Sequence, residues 1–198
     1  DVVNVGSLTP ATGGTLNGIL GLLTLNGGTG TDQLFIDDRG DGVANTGVLT
    51  GTTLTGLGMS QGIAYANFAH LGIGLGSGND SFTISSTHTG TTHFDAGAGN
   101  DTVQVVSIAG ETWVLGNDGN DSITVNPAHV TGVNPIGAVL HLDGNEGADY
   151  YWIKLTGAGH SLINVLDTGV AGADHLEISG TPGADTFLLR KDYIVLLQ

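Results

Sequence analysis

The sequence has 198 residues, of which 35 are glycine and none is cysteine, and its formal net charge at pH 7 is −15. With 4 basic residues against 19 acidic ones, the composition excludes a nucleic-acid-binding protein, because phosphate contacts need a basic patch. The sequence contains no run of about 18 apolar residues that would predict membrane insertion. Without disulfides, the stability of the fold must come from sheet burial, stacking and bound cations.

The chain divides into three stretches, and we expect them to form one domain over residues 1–198. Residues 1–22 carry no repeat motif and are expected to form an irregular N-terminal coil or cap. Residues 23–189 carry the repeats, with residues 59–71 as the one stretch whose pattern allows a turn or two of helix. Residues 190–198 are apolar and predict a C-terminal strand that needs a cover or a partner.

The repeat is a Gly-rich loop that ends in aspartate and leads into a short apolar strand. Glycine always stands two residues before the aspartate, and apolar or aromatic residues always stand two and four residues after it. This alternation is typical of a strand with one buried face. The seven aspartates are Asp32, Asp80, Asp101, Asp121, Asp149, Asp174 and Asp185. We therefore predict an all-β fold, a parallel β-helix (β-solenoid) of about seven to nine coils with an irregular period of about 20–28 residues.

The repeat is irregular at three places. The 48 residues from Asp32 to Asp80 leave room for two coils, with a degenerate motif expected in residues 49–57. Seven residues before Asp174, where an apolar residue is expected, stands Asp167, which suggests one inserted residue that displaces Leu166. Asp185 follows Asp174 by only 11 residues, so we expect it on a different wall of the solenoid.

The loops resemble the calcium-binding nonapeptide repeats of hemolysin-type (RTX) proteins, whose pattern is G-G-x-G-x-D-x-U-x with U a large apolar residue. Residues 27–35, Gly-Gly-Thr-Gly-Thr-Asp-Gln-Leu-Phe, fit every position. The Thr- and Gly-rich repeats also look like the stalk regions of large bacterial surface adhesins. The resemblance implies that loop carbonyls and aspartates of successive coils share Ca²⁺. The chain departs from the family in having one motif per coil instead of two.

Residue chemistry independently favours a hard cation at the loops. Glycine lets carbonyl oxygens converge, Ca²⁺ takes about six to eight oxygen ligands, and stacked carboxylates repel one another unless a cation lies between them. The best candidates are Asp80, Asp101 and Asp121 with Gly78, Gly99 and Gly119, and the flanking candidates are Asp32, Asp149, Asp174 and Asp185. The alternative is a tight Gly-x-Asp turn in which the aspartate caps its own loop.

The asparagines that precede the central aspartates, Asn79, Asn100 and Asn120, are expected to adopt left-handed backbone or to form a ladder between coils. The seven histidines lack the close spacing of a zinc site, and no nucleophile motif or phosphate-binding loop is present.

The sequence therefore predicts a non-enzymatic, extracellular or cell-surface structural protein of a bacterial adhesin, surface layer, matrix or filament. We expect it to self-associate head to tail, with residues 193–197 as a contact. The alternatives are a carbohydrate-active β-helix enzyme (a lyase or epimerase), disfavoured because only four residues are basic, and an ice- or glycan-binding module.

Overall fold

The computed structural model describes residues 1–189 and 194–197, and these residues form β-strands, turns and loops without any helix. None of them therefore belongs to a helix that could span a membrane. The strands are β1 (Val2–Val5), β2 (Leu23–Asn26), β3 (Gln33–Asp37), β4 (Thr46–Leu49), β5 (Thr53–Gly56), β6 (Ile63–Ala66), β7 (His70–Gly74), β8 (Ser81–Ile84), β9 (Thr91–Asp95), β10 (Thr102–Val105), β11 (Thr112–Asp118), β12 (Ser122–Val125), β13 (Leu140–Glu146), β14 (Tyr150–Lys154), β15 (Ile163–Leu166), β16 (His175–Ser179), β17 (Thr186–Leu189) and β18 (Ile194–Leu197).

Two mostly parallel sheets contain nearly all of these strands. Sheet A has seven strands in the order β1-β3-β7-β9-β11-β13-β15, and all of its pairs are parallel. Sheet B has nine strands in the order β16-β14-β12-β10-β8-β4-β5-β6-β2, with β5 antiparallel to both of its neighbours. From β7 to β16 successive strands alternate between the sheets, so each passage adds one strand to each sheet. The predicted all-β class is confirmed, and this topology is compatible with a β-solenoid.

The core lies between the two sheets and follows the alternation seen in the sequence. In sheet A, Ile73, Phe94, Val114 and Leu142 are register partners and are at most 2% exposed. In sheet B the matching row is Phe82, Val103, Ile123 and Tyr151, also at most 2% exposed. The rings of Phe82 and Phe94 stack across the two sheets with centroids 4.2 Å apart. Each such side chain contributes roughly 1.5–3 kcal/mol by leaving water, so the central repeats are well supported.

The stretch that was compatible with helix, residues 59–71, forms strands instead. It contains β6 and the start of β7, so the expected turn of helix is wrong. Ile63 and Tyr65 are buried, whereas Ala64 and Ala66 are not, which is the period of two of a strand with one buried face.

The N-terminal part also differs from the expectation. Residues 1–22 are not entirely irregular, because β1 pairs in parallel with β3 and forms one edge of sheet A. Between Asp32 and Asp80 no second coil is inserted, since β3 pairs directly with β7 and β4 with β8. The extra residues instead form β5 and β6, an antiparallel extension of sheet B that reaches β2.

Toward the C-terminus the core becomes thinner. Val165, and not Leu166, is the register partner of Leu142, so the loop before Asp174 is two residues longer than the others, not one. Leu176 is 43% exposed although its position in the repeat is buried elsewhere. β17 pairs only with β18, in antiparallel fashion, outside sheets A and B. The predicted strand at 190–198 appears as β18, while residues 190–193 and 198 lie outside the described residues.

Candidate functional site

Five of the seven motif aspartates stack at one corner of the fold. Each immediately precedes a strand of sheet B, and because those strands pair in register, the residues before them are brought into line. We call this line the aspartate column, and its members are Asp80, Asp101, Asp121, Asp149 and Asp174. Asn45 occupies the equivalent position before β4.

A single hydrogen-bond pattern runs through the column. Each carboxylate accepts, through its Oδ1 atom, the backbone N–H of the column residue one strand earlier. The distances are 2.7 Å from Asn45 to Asp80, 2.6 Å from Asp80 to Asp101, 2.7 Å from Asp101 to Asp121, 2.8 Å from Asp121 to Asp149 and 3.0 Å from Asp149 to Asp174. The aspartates therefore link successive loops, whereas a simple turn cap would bond within its own loop.

The second oxygen of several column carboxylates has no partner. Oδ2 of Asp101, Asp121 and Asp149 is buried and accepts no hydrogen bond, and each of these residues is only 2% exposed. A buried polar atom without a partner costs about 1–3 kcal/mol, and more when it is charged. Three such atoms in successive loops form a row of oxygens suited to a proton or a cation.

Burial controls the electrostatics of the column. Desolvation raises the pKa of Asp101 to about 7 and that of Asp121 to about 6, against an ordinary value of 3.8. Backbone hydrogen bonds partly oppose these shifts, and the neighbouring carboxylates add to them. Desolvation also raises the pKa values of Asp80 and Asp149. In the absence of a cation, these four aspartates therefore hold protons more strongly than isolated aspartates do, whereas the hydrogen bond from the Asp149 N–H lowers the pKa of Asp174.

Glycines form a second column beside the aspartates, where the sequence motif places them. Gly99 and Gly119 have φ values of 125° and 135°, a backbone region that side chains rarely adopt. A Cβ atom on Gly119 would overlap the carbonyl oxygen of Gly99, and one on Gly99 would overlap that of Gly78. These three candidate residues thus permit the close approach of successive loops, with each carbonyl oxygen directed toward the next glycine.

The expected asparagine ladder is present on the outer side of the same loops. Oδ1 of Asn79 accepts the backbone N–H of Asn100 at 2.9 Å, and Oδ1 of Asn100 accepts that of Asn120 at 2.8 Å. Asn120 in turn accepts the N–H of Ala148 at 2.7 Å. The asparagines therefore accept from the following loop and the aspartates from the preceding one, so two ladders of opposite direction join the loops.

Two motif aspartates do not belong to the column. Asp32 ends the loop that best matches the RTX pattern, yet it precedes β3 of sheet A and lies in a different line. Its Oδ1 accepts a hydrogen bond from the terminal ammonium group of Asp1 at 2.7 Å, and its Oδ2 is buried without a partner. Asp185 precedes β17 and accepts the hydroxyl of Thr181 at 2.9 Å.

Sequence reasoning did not identify Asp167 as part of a site. One oxygen from each of Asp149, Asp167 and Asp174 lies within 4.8 Å of the others, the one group of three metal-ligating side chains found among the described residues. An acid at a position that is apolar in the other repeats was the available signal. Asp38 was also missed; it is 1% exposed and accepts the N–H of Leu16, and burial raises its pKa to about 6.

The histidines have a structural arrangement instead of a zinc geometry. On the outer face of sheet A, aromatic rings on successive strands form a row with centroid separations of 4.3 to 5.3 Å, in which two pairs are stacked and two are tilted by 54° and 58°. The stack consists of Phe35, His70, His93, Trp113 and His141. The ring faces of His93, Trp113 and His141 cover one another, with interplanar angles of 21° and 6°.

Comparison of the chain with models of protein families, with curated proteins and with solved structures finds no match. The resemblance of the loops to RTX repeats therefore stays a prediction from the sequence.

Proposed function

We propose that this chain is a non-enzymatic structural protein, a β-solenoid whose aspartate column binds divalent cations, with Ca²⁺ as the best fit. The observation that carries the proposal is the row of buried, unpartnered Oδ2 atoms on Asp101, Asp121 and Asp149. Their Oδ1 atoms already hold backbone N–H groups, so the free oxygens point to a role beyond loop closure.

The strand topology supports the solenoid. Parallel strands that alternate between two sheets are what a coiled chain produces, and the seven strands of sheet A support the lower end of seven to nine coils. Neighbouring strands lie about 4.8 Å apart, so ionised column carboxylates would repel one another at close range. A cation between them removes that repulsion and supplies the missing partner of Oδ2.

Ligand chemistry favours calcium over zinc. The column offers carboxylate oxygens with carbonyl groups nearby, and it offers no nitrogen or sulfur ligand, which suits a hard cation. Asp101, Asp121 and Asp149 each have one free oxygen, so we expect weak sites, in the range of about 10⁻⁴–10⁻³ M that is typical of extracellular calcium modules. The acidic composition and the absence of cysteine fit a cell-surface location, as part of an adhesin, surface layer, matrix or filament.

Self-association follows from the open ends of the sheets. Each of β1 and β2 pairs on one side only, and nearby Leu20 and Leu22 are 73% and 57% exposed. At the opposite end, β15 and β16 likewise pair on one side, with Leu166 49% exposed. Within residues 1–189 and 194–197, both ends thus carry unpaired parallel edges, which suit head-to-tail addition of further copies. β18, which holds most of the apolar tail, is paired with β17 and is therefore a weaker candidate contact.

A calcium titration tests the proposal. Calorimetry and thermal melting of the whole chain in chelator and in CaCl₂ should show binding and a rise in melting temperature. The double variant Asp101→Asn/Asp121→Asn should lose most of that rise, whereas Asp118→Asn, an exposed acid at the end of β11, should keep it. An equal rise in melting temperature in both variants would contradict cation binding by the column. No rise in the wild-type chain would contradict calcium binding altogether.

A glycan-binding role is the second candidate, because a groove of about 430 Å³ lies over sheet A. Its lining includes Phe35, His70, His93, Arg39 and Asp95. Arg39 is held by Asp37 at 3.3 Å and by Asp95 at 2.9 Å. Because this guanidinium is already paired with two carboxylates, the groove offers no free cation of its own to bind an acidic sugar among the residues that line it. A screen for binding to neutral and acidic polysaccharides tests this role. Turnover measured in the same screen distinguishes an enzyme from a binding protein, and the absence of both binding and turnover favours a purely structural role.

A further inference from the structure

Three carboxylates meet at the C-terminal end of the aspartate column. Asp149 and Asp174 are column members, and Asp167 directly follows β15. One oxygen from each lies within 4.8 Å of the other two. Asp167 belongs to no repeat motif, so this grouping is separate from the regular pattern of the loops.

A second observation shows that the group is incomplete by itself. Asp149 is only 2% exposed, and its Oδ2 has no hydrogen-bond partner. Its other oxygen accepts the N–H of Asp121 at 2.8 Å, and its own N–H donates to Asp174 Oδ1 at 3.0 Å. The ion pairs found in the described part of the chain and the hydrogen bond between His141 and Glu111 involve other carboxylates, so three acids lie together without a basic partner there.

The longer loop after β15 explains how Asp167 reaches this place. Val165 is the last inward-facing residue of that strand, and two additional residues separate it from Asp174 in comparison with the other repeats. Thr168 anchors the loop, because its N–H and hydroxyl donate to the carboxylate of Asp143 at 3.1 and 2.9 Å. Asp143 is thereby satisfied, while Asp167 is left beside Asp149 and Asp174.

We propose that Asp149, Asp167 and Asp174 form a divalent-cation site for a hard ion of the Ca²⁺ class, and that the bound ion holds β15 and β16 onto the two sheets. Three carboxylates give this site a higher ligand charge than a pair of column aspartates, which raises calcium affinity. The ion joins the end of β15 to the loops before β14 and β16. That support falls where the apolar core is thinnest, since Leu166 and Leu176 are 49% and 43% exposed.

This site does not depend on the column sites of the proposed function, because Asp167 is not a column residue and the column pairs do not need it. Asp167 is exposed, so Asp167→Asn changes one charge without disturbing the core. Asp118→Asn is the matched control, an exposed acid outside the group. Asp167→Glu keeps a carboxylate and serves as the rescue variant.

The test uses the whole chain with CaCl₂ in calorimetry and with Tb³⁺ as a luminescent probe excited through the nearby tyrosines. Tyr151 donates to the carbonyl of Leu166 at 3.3 Å, which places an aromatic sensitiser next to the group. We expect Asp167→Asn to weaken the tightest site by about tenfold or more, as ligand charge count tunes such sites. Asp118→Asn should match the wild-type chain, and Asp167→Glu should recover part of the affinity.

Amide hydrogen exchange supplies the structural readout. Calcium should slow exchange in β15 and β16 of the wild-type chain but not of Asp167→Asn, with circular dichroism confirming that the variant folds. Unchanged affinity and unchanged exchange in Asp167→Asn would overturn the site while leaving the column sites intact. An unchanged calcium response in Asp101→Asn/Asp121→Asn, together with loss of the tightest site in Asp167→Asn, would instead overturn only the proposed column sites.

Discussion

The backbone N–H of Asp101 donates to Oδ1 of Asp121 at 2.7 Å, while Oδ2 of the same Asp121 is buried without a partner. One oxygen of this carboxylate therefore joins two loops, and the other carries a charge that nothing in the described chain offsets. Asparagine retains the first oxygen and replaces the second by an amide. A single substitution thus separates the structural role of the side chain from its electrostatic role.

Asp121→Asn is expected to leave the melting temperature in chelator within a few degrees of that of the wild-type chain, because Oδ1 can still accept the Asp101 N–H and the buried charge is gone. The rise in melting temperature on adding calcium should be clearly smaller than in the wild-type chain. Differential scanning calorimetry with Asp118→Asn as control checks both parts. A calcium response as large as in the control would contradict a ligand role for Asp121.

Gly119→Ala is expected to destabilise the fold by about 3 kcal/mol, because the new Cβ overlaps the carbonyl of Gly99 at a strained φ of 135°. Gly132→Ala is the matched control: its φ is also positive, at 77°, but no atom lies within 4 Å of the new Cβ. We expect the control to cost only about 1 kcal/mol. Chemical denaturation measures both, and equal costs would mean that backbone strain alone, without the close approach of the loops, explains the need for glycine at position 119.

Much of the fold was predictable because the alternation around each aspartate is local. Positions two and four after Asp80, Asp101 and Asp121 are buried, as the period of two requires. The loop glycines were predictable for a similar reason, since a positive φ favours glycine at Gly99 and Gly119. These features depend on a few neighbouring residues and so are visible in the sequence.

The errors arose where pairing between distant residues decides the outcome. Asp32 has the best match to the loop pattern, yet it precedes a strand of sheet A because the chain first enters sheet B through β2. Asn45 takes its place in the column although no Gly-x-Asp motif marks it. Asp167 joins the cluster because the loop between β15 and Asp174 is two residues longer than in the other repeats. Sheet membership and loop length, not residue type, placed these three side chains.

Asn100→Ala removes the acceptor for the backbone N–H of Asn120, which is 2.8 Å from Oδ1. We expect a loss of about 1–2 kcal/mol, or a fall in melting temperature of several degrees for a chain of this size. Gln104→Ala, an exposed position on the adjacent strand β10, is the control and should change the melting temperature little. If the two variants melt alike, the asparagine ladder contributes no measurable stability.

The cation-free protein should become more stable as the pH falls from about 7 toward about 4, because burial raises the pKa of Asp101 to about 7 from its ordinary value of 3.8. A raised pKa in the folded state means that the stabilising effect is fully present below 3.8 and is lost as the pH rises through about 7. Burial lowers the pKa values of His70 and His93, which acts in the opposite direction as the pH falls below 6.5.

Comparison of the wild-type chain with Asp101→Asn isolates the carboxylate, because the histidines are common to both proteins. In chelator, the wild-type melting temperature should rise relative to that of the variant as the pH is lowered through this range. In saturating calcium the trend should reverse, since the ion requires the ionised carboxylate and a proton competes with it. If the melting temperatures of the two proteins change in parallel over this whole pH range, with and without calcium, then Asp101 neither retains a proton nor binds the ion.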